Sequence, residues 1–264
     1  MKNYGLLGRN ISHSFSHKLH NLIAFKNNFT INYEILDITE KMLPNYLLSL
    51  KMGEYAGFNV TTPYKEKVIK YLDGLTPEAK AIGSVNTIVY KENKFIGHNT
   101  DYYGFVKLLK NNKIRQKKIK KAYILGTGGA AKTVYYALLE NNIDCVVVSR
   151  NKAQKLPFEE VISYDEFSQI KEVELLINAT PVGSYPKFGS PIKFYNQTFK
   201  IIIDLIYNPL KTELMRHSIV SINGLDMLIY QAIEAQNYFN NQRLKEDIKT
   251  IRFIKGAIIN EFVR

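Results

Sequence analysis

Ala122-Tyr123-Ile124-Leu125-Gly126-Thr127-Gly128-Gly129-Ala130-Ala131 decides the fold. An apolar run meets a turn with the spacing Gly126-x-Gly128-x-x-Ala131, and a helical pattern follows. Strand, glycine turn and helix start, in that order, form the phosphate-binding corner of a dinucleotide fold. The first glycine permits the tight turn. The second lets the backbone approach a pyrophosphate, and the small Ala131 lets helix and strand pack closely. The helix start adds unpaired amides and a positive dipole. A glycine-rich turn without a ligand is the plainer alternative.

Further apolar strands are expected at residues 145–148, 175–177, 201–205 and 220–222, all but the last two separated by helices. Continuous apolar strands alternating with helices predict a parallel sheet covered on both faces. Upstream, strands are expected at residues 4–7, 32–38 and 57–60, and helices at 18–25 and 42–51, with Pro44 in the first turn of the second. Residues 87–90 and 95–97 predict a hairpin. Thr62-Pro63 and Thr76-Pro77 both read as an N-cap followed by proline at the first helical position. Everything from Leu225 onward is expected to be helical, with Leu225, Leu228, Ile229 and Ala232 on one stripe and Ile251, Ile254 and Ile258 on another. The fold class is therefore α/β, with a Rossmann-like parallel sheet in the later part of the chain; whether the closing helices belong with that part or with the first hundred residues is open in the pattern alone.

The end of the strand after the glycine turn selects the cofactor. A carboxylate there binds the ribose diol of NAD; this chain has Ser149-Arg150-Asn151-Lys152. A guanidinium can pair two oxygens of a 2′-phosphate, which favours NADP(H). An ordinary surface arginine is the alternative for Arg150.

Two ionisable residues suit proton transfer. Lys65 follows Asn59-Val60-Thr61-Thr62-Pro63-Tyr64, at about the third position of the helix expected after Thr62-Pro63, where the helix field lowers a lysine's pKa. Asp101, in Asn99-Thr100-Asp101, pulls the other way if it is close. Such a pair can move a proton near neutrality while a nicotinamide moves hydride. A surface lysine and a helix-capping aspartate would leave the same spacing. Ser14 and Ser16 flank Phe15, so both hydroxyls can face one way, or cap the next helix. Asn86 needs partners if buried, and a polyhydroxylated substrate offers them; a turn residue is the alternative. Gln231 interrupts an apolar helix, with solvent exposure as the plain reading. His13, His17 and His20 lack a cysteine or well-placed carboxylate to complete a metal set, and no metal is expected.

Length and composition bound these readings. The 264 residues, 45% hydrophobic, suffice for one large or two modest domains. No apolar run is long enough to cross a bilayer and no secretory signal opens the chain, so a cytoplasmic, membrane-free protein is expected. Cys145, the single cysteine, is expected to be a buried structural thiol. Lysine and arginine exceed acidic residues by 36 − 24 = 12. The densest basic run, residues 110–121, lacks interleaved aromatics and reads as a solvated helix end rather than a nucleic-acid surface. The net charge suits capture of an anionic small molecule.

The assembled motifs resemble shikimate dehydrogenase. They include Ser12-His13-Ser14-Phe15-Ser16, residues 58–65, Gly83-Ser84-Val85-Asn86-Thr87, Gly97-His98-Asn99-Thr100-Asp101, Gly126-Thr127-Gly128-Gly129-Ala130, Ile177-Asn178-Ala179-Thr180-Pro181 and Asn223-Gly224-Leu225-Asp226-Met227. The resemblance implies NADPH-dependent reduction of 3-dehydroshikimate to shikimate, en route to aromatic amino acids. It implies Lys65 and Asp101 as the catalytic dyad. Ser14, Ser16, Thr61, Asn86, Asp101, Tyr207 and Gln231 would surround the substrate. Gly126, Thr127, Gly128, Gly129, Ala130, Ser149, Arg150, Asn151, Leu205 and Gly224 would hold the cofactor. It further implies a substrate domain over residues 1–101 and 224–264, an NADP-binding domain over 102–223, and a catalytic cleft between them closed by a hinge. A monomer or homodimer with a small-molecule substrate and no nucleic-acid partner is expected.

The chain departs from the family pattern at three places. His17 stands where proline usually follows the second serine. Tyr102-Tyr103 precede Gly104 where glycine usually follows the aspartate. Ser149, Asn151 and Gln154 replace the usual adenine-side clamp, with Lys152 or Lys155 available as substitute cations. The rival readings are a quinate/shikimate dehydrogenase using NAD, a non-catalytic dinucleotide sensor, and a nucleic-acid binder.

Overall fold

The structure is a computed structural model and describes residues 1–153, 157–186, 188–193 and 197–262. Gln154 and Lys155 lie outside the described residues. The chain divides into two compact units, Met1–Gly104 with Ile229–Arg264, and Phe105–Leu228.

The first unit holds β1 (Lys2–Gly8), α1 (Ser16–Lys26), β2 (Ile31–Asp37), α2 (Leu43–Lys51), β3 (Gly57–Val60), β4 (Gly74–Leu75), α3 (Pro77–Ile82), β5 (Thr87–Lys91) and β6 (Lys94–His98). Its six strands run in the order β2-β1-β3-β5-β6-β4, and only β5 runs antiparallel to its neighbours. Alternation along β1 sorts the core. Leu7 packs with Phe58, Val60 and Ile88 against Leu43, Leu47 and Leu50 of α2. Tyr4 and Leu6 pack with Tyr33 and Val89 against Ala235 and Phe239 near the chain's end. α3 starts as its sequence predicts: Thr76 Oγ1 accepts from Ala79 N at 3.4 Å and Pro77 follows.

α4 (Thr100–Asn111) carries the chain from the first unit into the second. There follow β7 (Lys121–Leu125), α5 (Gly129–Leu139), β8 (Asp144–Val148), β9 (Val161–Ile162), α6 (Tyr164–Ser168), β10 (Glu172–Asn178), β11 (Thr198–Asp204) and β12 (Ser218–Asn223). All six strands are parallel, in the order β12-β11-β10-β7-β8-β9. Counted along the chain, that is the 3-2-1-4-5-6 order of a doubly wound dinucleotide fold. Apolar residues point to both faces of β7, β8, β10 and β11, as a sheet covered on both sides requires. Cys145 is buried there, and burial, reinforced by Asp144, lifts its thiol to about 12.

α7 (Leu225–Asn240) returns the chain to the first unit, and α8 (Ile248–Phe262) closes it. The expected unbroken helix from Leu225 is therefore corrected at residues 241–247. Asn237 turns the chain there: its backbone carbonyl accepts from Gln242 N, and its Oδ1 accepts from Leu244 N at 2.8 Å. Asp247 then caps α8 through Thr250 N at 3.0 Å.

Two further expectations fail. The described residues between β10 and β11 form no helix. Pro181, Pro186 and Pro191 interrupt the segment, and Tyr185 N donates instead to Asn208 O. Thr62-Pro63 opens no α-helix either. Tyr64 N closes a tight turn on Thr61 O, and a 3-10 helix follows only at Lys67–Tyr71. An α-helix would need the Lys65 carbonyl for Ile69. Here that carbonyl accepts from Val85 N at 2.8 Å, while buried Tyr64 is anchored by its hydroxyl on Ile38 O.

Candidate active site

Strand direction gathers one set of candidate residues at a single sheet edge. β1, β3 and β6 end there, and antiparallel β5 begins there, as the pairings Leu7 with Val60, Asn59 with Thr87 and Thr87 with His98 require. Ser14 follows β1, Thr61 and Lys65 follow β3, Asn86 precedes β5, and Asp101 follows β6. In parallel architectures this carboxyl edge is where ligands bind.

At that edge Lys65 Nζ lies 2.5 Å from Asp101 Oδ2, with side chains 21% and 11% exposed. Because Lys65 stands in a turn, the helix-start field invoked for it does not act on it. Asp101 is the second residue of α4 but not its cap. Asn99 takes that role, its Oδ1 accepting from Tyr102 N at 3.1 Å, while its Nδ2 donates to Ser84 O. The aspartate's carboxylate thus stays on the lysine.

A buried amide network braces the pair. Thr100 N donates to Asn86 Oδ1 at 2.7 Å, and Asn86 Nδ2 donates to Thr100 Oγ1 at 3.0 Å. Asn59 Nδ2 donates to Thr87 Oγ1 and to Asn86 O, and its Oδ1 accepts from Tyr33 OH at 2.8 Å. Asn86 is therefore neither a turn residue nor a bare amide: it ties the start of α4 to β5. Sequence reading missed Asn59, Thr87 and Thr100 as members of this network. The available signal was an asparagine inside the otherwise apolar Phe58-Asn59-Val60.

Ser14 and Ser16 do come together. Ser14 Oγ donates to Ser16 Oγ at 3.0 Å and also accepts from Ser16 N, while the N-cap position of α1 is Phe15 and receives no side-chain cap. Thr61 N donates to Leu7 O, which holds it at the end of β1. Gln231 is half-buried on α7. Tyr103, one of the departures from the family pattern, donates to Glu246 Oε1 at 2.6 Å and so binds the start of α4 to the α7–α8 connection. His20 is buried and stacked on Tyr33, with ring centroids 4.2 Å apart, and desolvation lowers its pKa to about 3. Among the described residues no cluster of histidine, cysteine and carboxylate could hold a metal ion.

The second unit carries the glycine turn. Gly126 has φ +102°, and its N–H donates to Val148 O. Gly128 precedes α5 without a side-chain cap, and a Cβ built on it would meet nothing within 4 Å. The start of α5 thus has no side-chain cap and has room at Gly128, and a helix start of this kind can receive a pyrophosphate. Ala131 is fully buried between helix and strand, as its size predicts. Thr127, Gly129 and Ala130 complete the turn and first residues of α5. β7 and β10 flank the point where strand order reverses, where such folds bind their ligand.

After β8, Ser149 is buried and its Oγ accepts from Asn151 N at 3.1 Å; Arg150 and Asn151 are exposed. Lys152 is committed elsewhere, to Glu166 at 2.7 Å. Those contacts, with the Ser163 cap, pull Glu166 down to about 2. Gly224 has a packing reason of its own, since a Cβ there would lie 1.9 Å from Leu205 O. Tyr207 lies in this unit, half-buried, and burial raises its pKa. A second missed network underlies the strand ends. Asp204 accepts from Asn178 Nδ2 at 2.9 Å, from Ile206 N and from Thr212 Oγ1, while burial raises its carboxyl pKa. Its sequence signal is a polar residue closing each apolar strand, Asn178 in β10 and Asp204 in β11.

Known proteins share this arrangement. The family described as the shikimate dehydrogenase substrate binding domain matches residues 6–88. Shikimate dehydrogenase (NADP(+)) of Clostridium beijerinckii is 39% identical, the alignment covering 99% of this chain and all of the relative. The crystal structure of shikimate dehydrogenase 1 from Peptoclostridium difficile superposes with a TM-score of 0.86 at 36% identity, covering 99% of both chains. Shikimate 5-dehydrogenase from Thermus thermophilus, solved with NADP(H) and shikimate, gives a TM-score of 0.82 at 28% identity over 97% of this chain and 99% of that one. With full-length identity to such relatives and the same two-unit α/β architecture, the chain belongs to the shikimate dehydrogenase family.

Proposed function

We propose that this chain reduces 3-dehydroshikimate to shikimate with NADPH, reversibly, as a step toward chorismate and the aromatic amino acids. The observation that carries the reading is the 2.5 Å Lys65–Asp101 pair at a carboxyl sheet edge. Family membership supplies the substrate, since the curated relatives are NADP-dependent shikimate dehydrogenases.

In this reading NADPH, when bound, supplies hydride to the substrate's carbonyl carbon. The carbonyl oxygen gains a proton, so ketone, hydride and proton become the secondary alcohol. Lys65 Nζ is the donor at that oxygen in our assignment. Asp101 holds and orients the ammonium by charge and hydrogen bond until the proton leaves. Reversal needs the same two groups with the proton moving from hydroxyl to lysine. Ser14, Ser16, Thr61, Asn86, Tyr207 and Gln231 are assigned to substrate hydroxyl and carboxylate groups; the pairing of Ser14 with Ser16 supports the first two.

NADP(H) is assigned to the second unit. Gly126 through Ala130 would cradle the pyrophosphate, which the uncapped start of α5 and the open space at Gly128 support. Ser149, Arg150 and Asn151 would face the adenosine 2′-phosphate, since no carboxylate follows β8 to repel it. Leu205 and Gly224 would border the nicotinamide. Of the residues assigned to the substrate, all but Tyr207 belong to the first unit. No helix of the described residues is long and apolar enough to cross a membrane. We further read the protein as a cytoplasmic monomer or homodimer without a nucleic-acid partner; the basic run at residues 110–121, which lacks interleaved aromatics, supports the last point alone.

The test is NADPH consumption with 3-dehydroshikimate by wild type, Lys65→Ala and Asp101→Asn. Turnover by wild type and its collapse in both variants is the expected result. Faster oxidation of quinate with NAD would favour the quinate/shikimate alternative, and NADPH binding without turnover would favour the sensor.

A further inference from the structure

The first unit contains a pocket of about 410 Å³ that the chemistry above does not use. It runs along one face of the β5–β6 hairpin, where residues pair across the strands as Thr87 with His98, Val89 with Ile96 and Lys91 with Lys94. His98 therefore stands at one end, Val89 and Ile96 form the apolar middle, and Lys91 stands at the other end. Four residues separate Thr87 from Lys91, so the two ends lie roughly 13 Å apart along the strand. Tyr238 of α7 covers the histidine end, its ring centroid 3.7 Å from that of His98.

His98 is the unusual group. It is 7% exposed, and neither Nδ1 nor Nε2 has a hydrogen-bond partner in the protein. His20, just as buried in the same unit, has Gln236 Nε2 at 3.1 Å from its Nδ1. Desolvation lowers the His98 pKa to about 4, so the ring is neutral at pH 7, with one N–H donor and one bare lone pair. Leaving a buried polar group unpaired is destabilising, so a partner that supplied the missing bond would be favoured.

Charge fixes the other end. Glu234 lines the wall and accepts from Arg243 Nη1 and Asn237 Nδ2 at 2.7 Å each. Lys91 and Arg243 against Glu234 leave the lining with one excess positive charge. The pocket is thus polar and neutral at one end, apolar in the middle and cationic at the rim. Its volume falls in the range of small-molecule sites.

We propose that this pocket binds a small aromatic monocarboxylate with a ring hydroxyl, the hydroxyl on His98, the ring against Val89, Ile96 and Tyr238, and the carboxylate toward Lys91 and Arg243. Neither Lys65 nor Asp101 lines the pocket, although His98 closes β6 at the same sheet edge, and the proposal does not depend on the reaction assigned there.

The test uses the whole protein with isotope-labelled histidine at pH 7, titrated with 3-(4-hydroxyphenyl)propanoate. Ring signals of His98 are identified by their loss in His98→Gln. They are expected to shift saturably, and to keep shifting in excess shikimate. 3-Phenylpropanoate, which lacks the hydroxyl, is expected to bind about tenfold more weakly. Ile96→Trp, which fills the middle, should abolish the shift, and Lys91→Gln at the exposed rim should weaken binding several-fold without unfolding risk. Unmoved His98 signals up to the solubility limit of the probe would overturn the proposal. So would displacement by shikimate, or binding unchanged in both Ile96→Trp and Lys91→Gln.

Discussion

The two units build their candidate sites from opposite materials. At the carboxyl edge of the first sheet, side chains do the work: a lysine and an aspartate are held by a turn and a helix start, behind Asn59, Asn86, Thr87 and Thr100. At the corresponding edge of the second sheet, side chains are absent where it counts, and the site is backbone amide, glycine and open space. The difference follows from the chemistry each edge must meet. A proton must be delivered to one atom, which needs a titratable group with a fixed position. A pyrophosphate is a diffuse anion, which helix-end amides receive without any side chain.

The sharpest way to break this contrast is at the dyad. Lys65→Met and Asp101→Asn are each expected to lower kcat by roughly 10²–10⁴-fold, with NADPH affinity preserved. Steady-state kinetics with direct cofactor titration would show it, and a variant keeping near-normal kcat would remove that residue from the chemistry. On the backbone side, Gly128→Val has room for its side chain and an ordinary φ of −76°. It should fold normally yet raise the KM for NADPH roughly 10–100-fold, by blocking close approach of the phosphates. An unchanged KM would mean that the turn does not carry the dinucleotide.

Burial within the first unit has a pH signature. His20 and His98 are both buried, with pKa values lowered to about 3 and about 4. As pH falls below the unfolded value near 6.5, the unfolded chain takes up protons that the folded one refuses, so stability drops. At pH 5 each histidine is expected to cost about 2 kcal/mol relative to neutral pH. Urea midpoints at pH 7 and pH 5 for wild type and His98→Gln would measure it; a variant with an undiminished slope would refute the burial argument for that residue. The smallest effect belongs to Arg150→Gln, where loss of one charge-assisted contact should raise the KM for NADPH about tenfold and leave that for NADH unchanged. Equal rises for both cofactors would show that the arginine does not read the 2′-phosphate.

Much of this was legible in the chain. The β7 turn, the alternating apolar strands, the Thr76-Pro77 helix start and the β5–β6 hairpin all form as local pattern predicts. The errors come from hydrogen-bond partners that outbid a local helical pattern, and between β10 and β11 from prolines that interrupt one. At Thr62-Pro63 the sequence carries the signature of a helix start, but Val85 claims the Lys65 carbonyl and Ile38 claims the Tyr64 hydroxyl. After Asn240, helical pattern continues, but Asn237 turns back to satisfy Leu244. In the first place a partner far along the chain outbid a local preference; in the second a side chain only seven residues away ended the helix. The polar networks escaped notice for a related reason: an isolated Asn or Asp in an apolar strand shows that a partner exists without naming it.

Sequence alone determined the fold class, the dinucleotide turn and the residue types able to move a proton, because these rest on short-range periodicity and on chemistry that only a few side chains possess. Tertiary structure alone decided that Lys65 meets Asp101 and that Lys152 is spent on Glu166. Those outcomes depend on strand order and register, which bring residues far apart in the chain within hydrogen-bond distance, and no local pattern encodes that proximity.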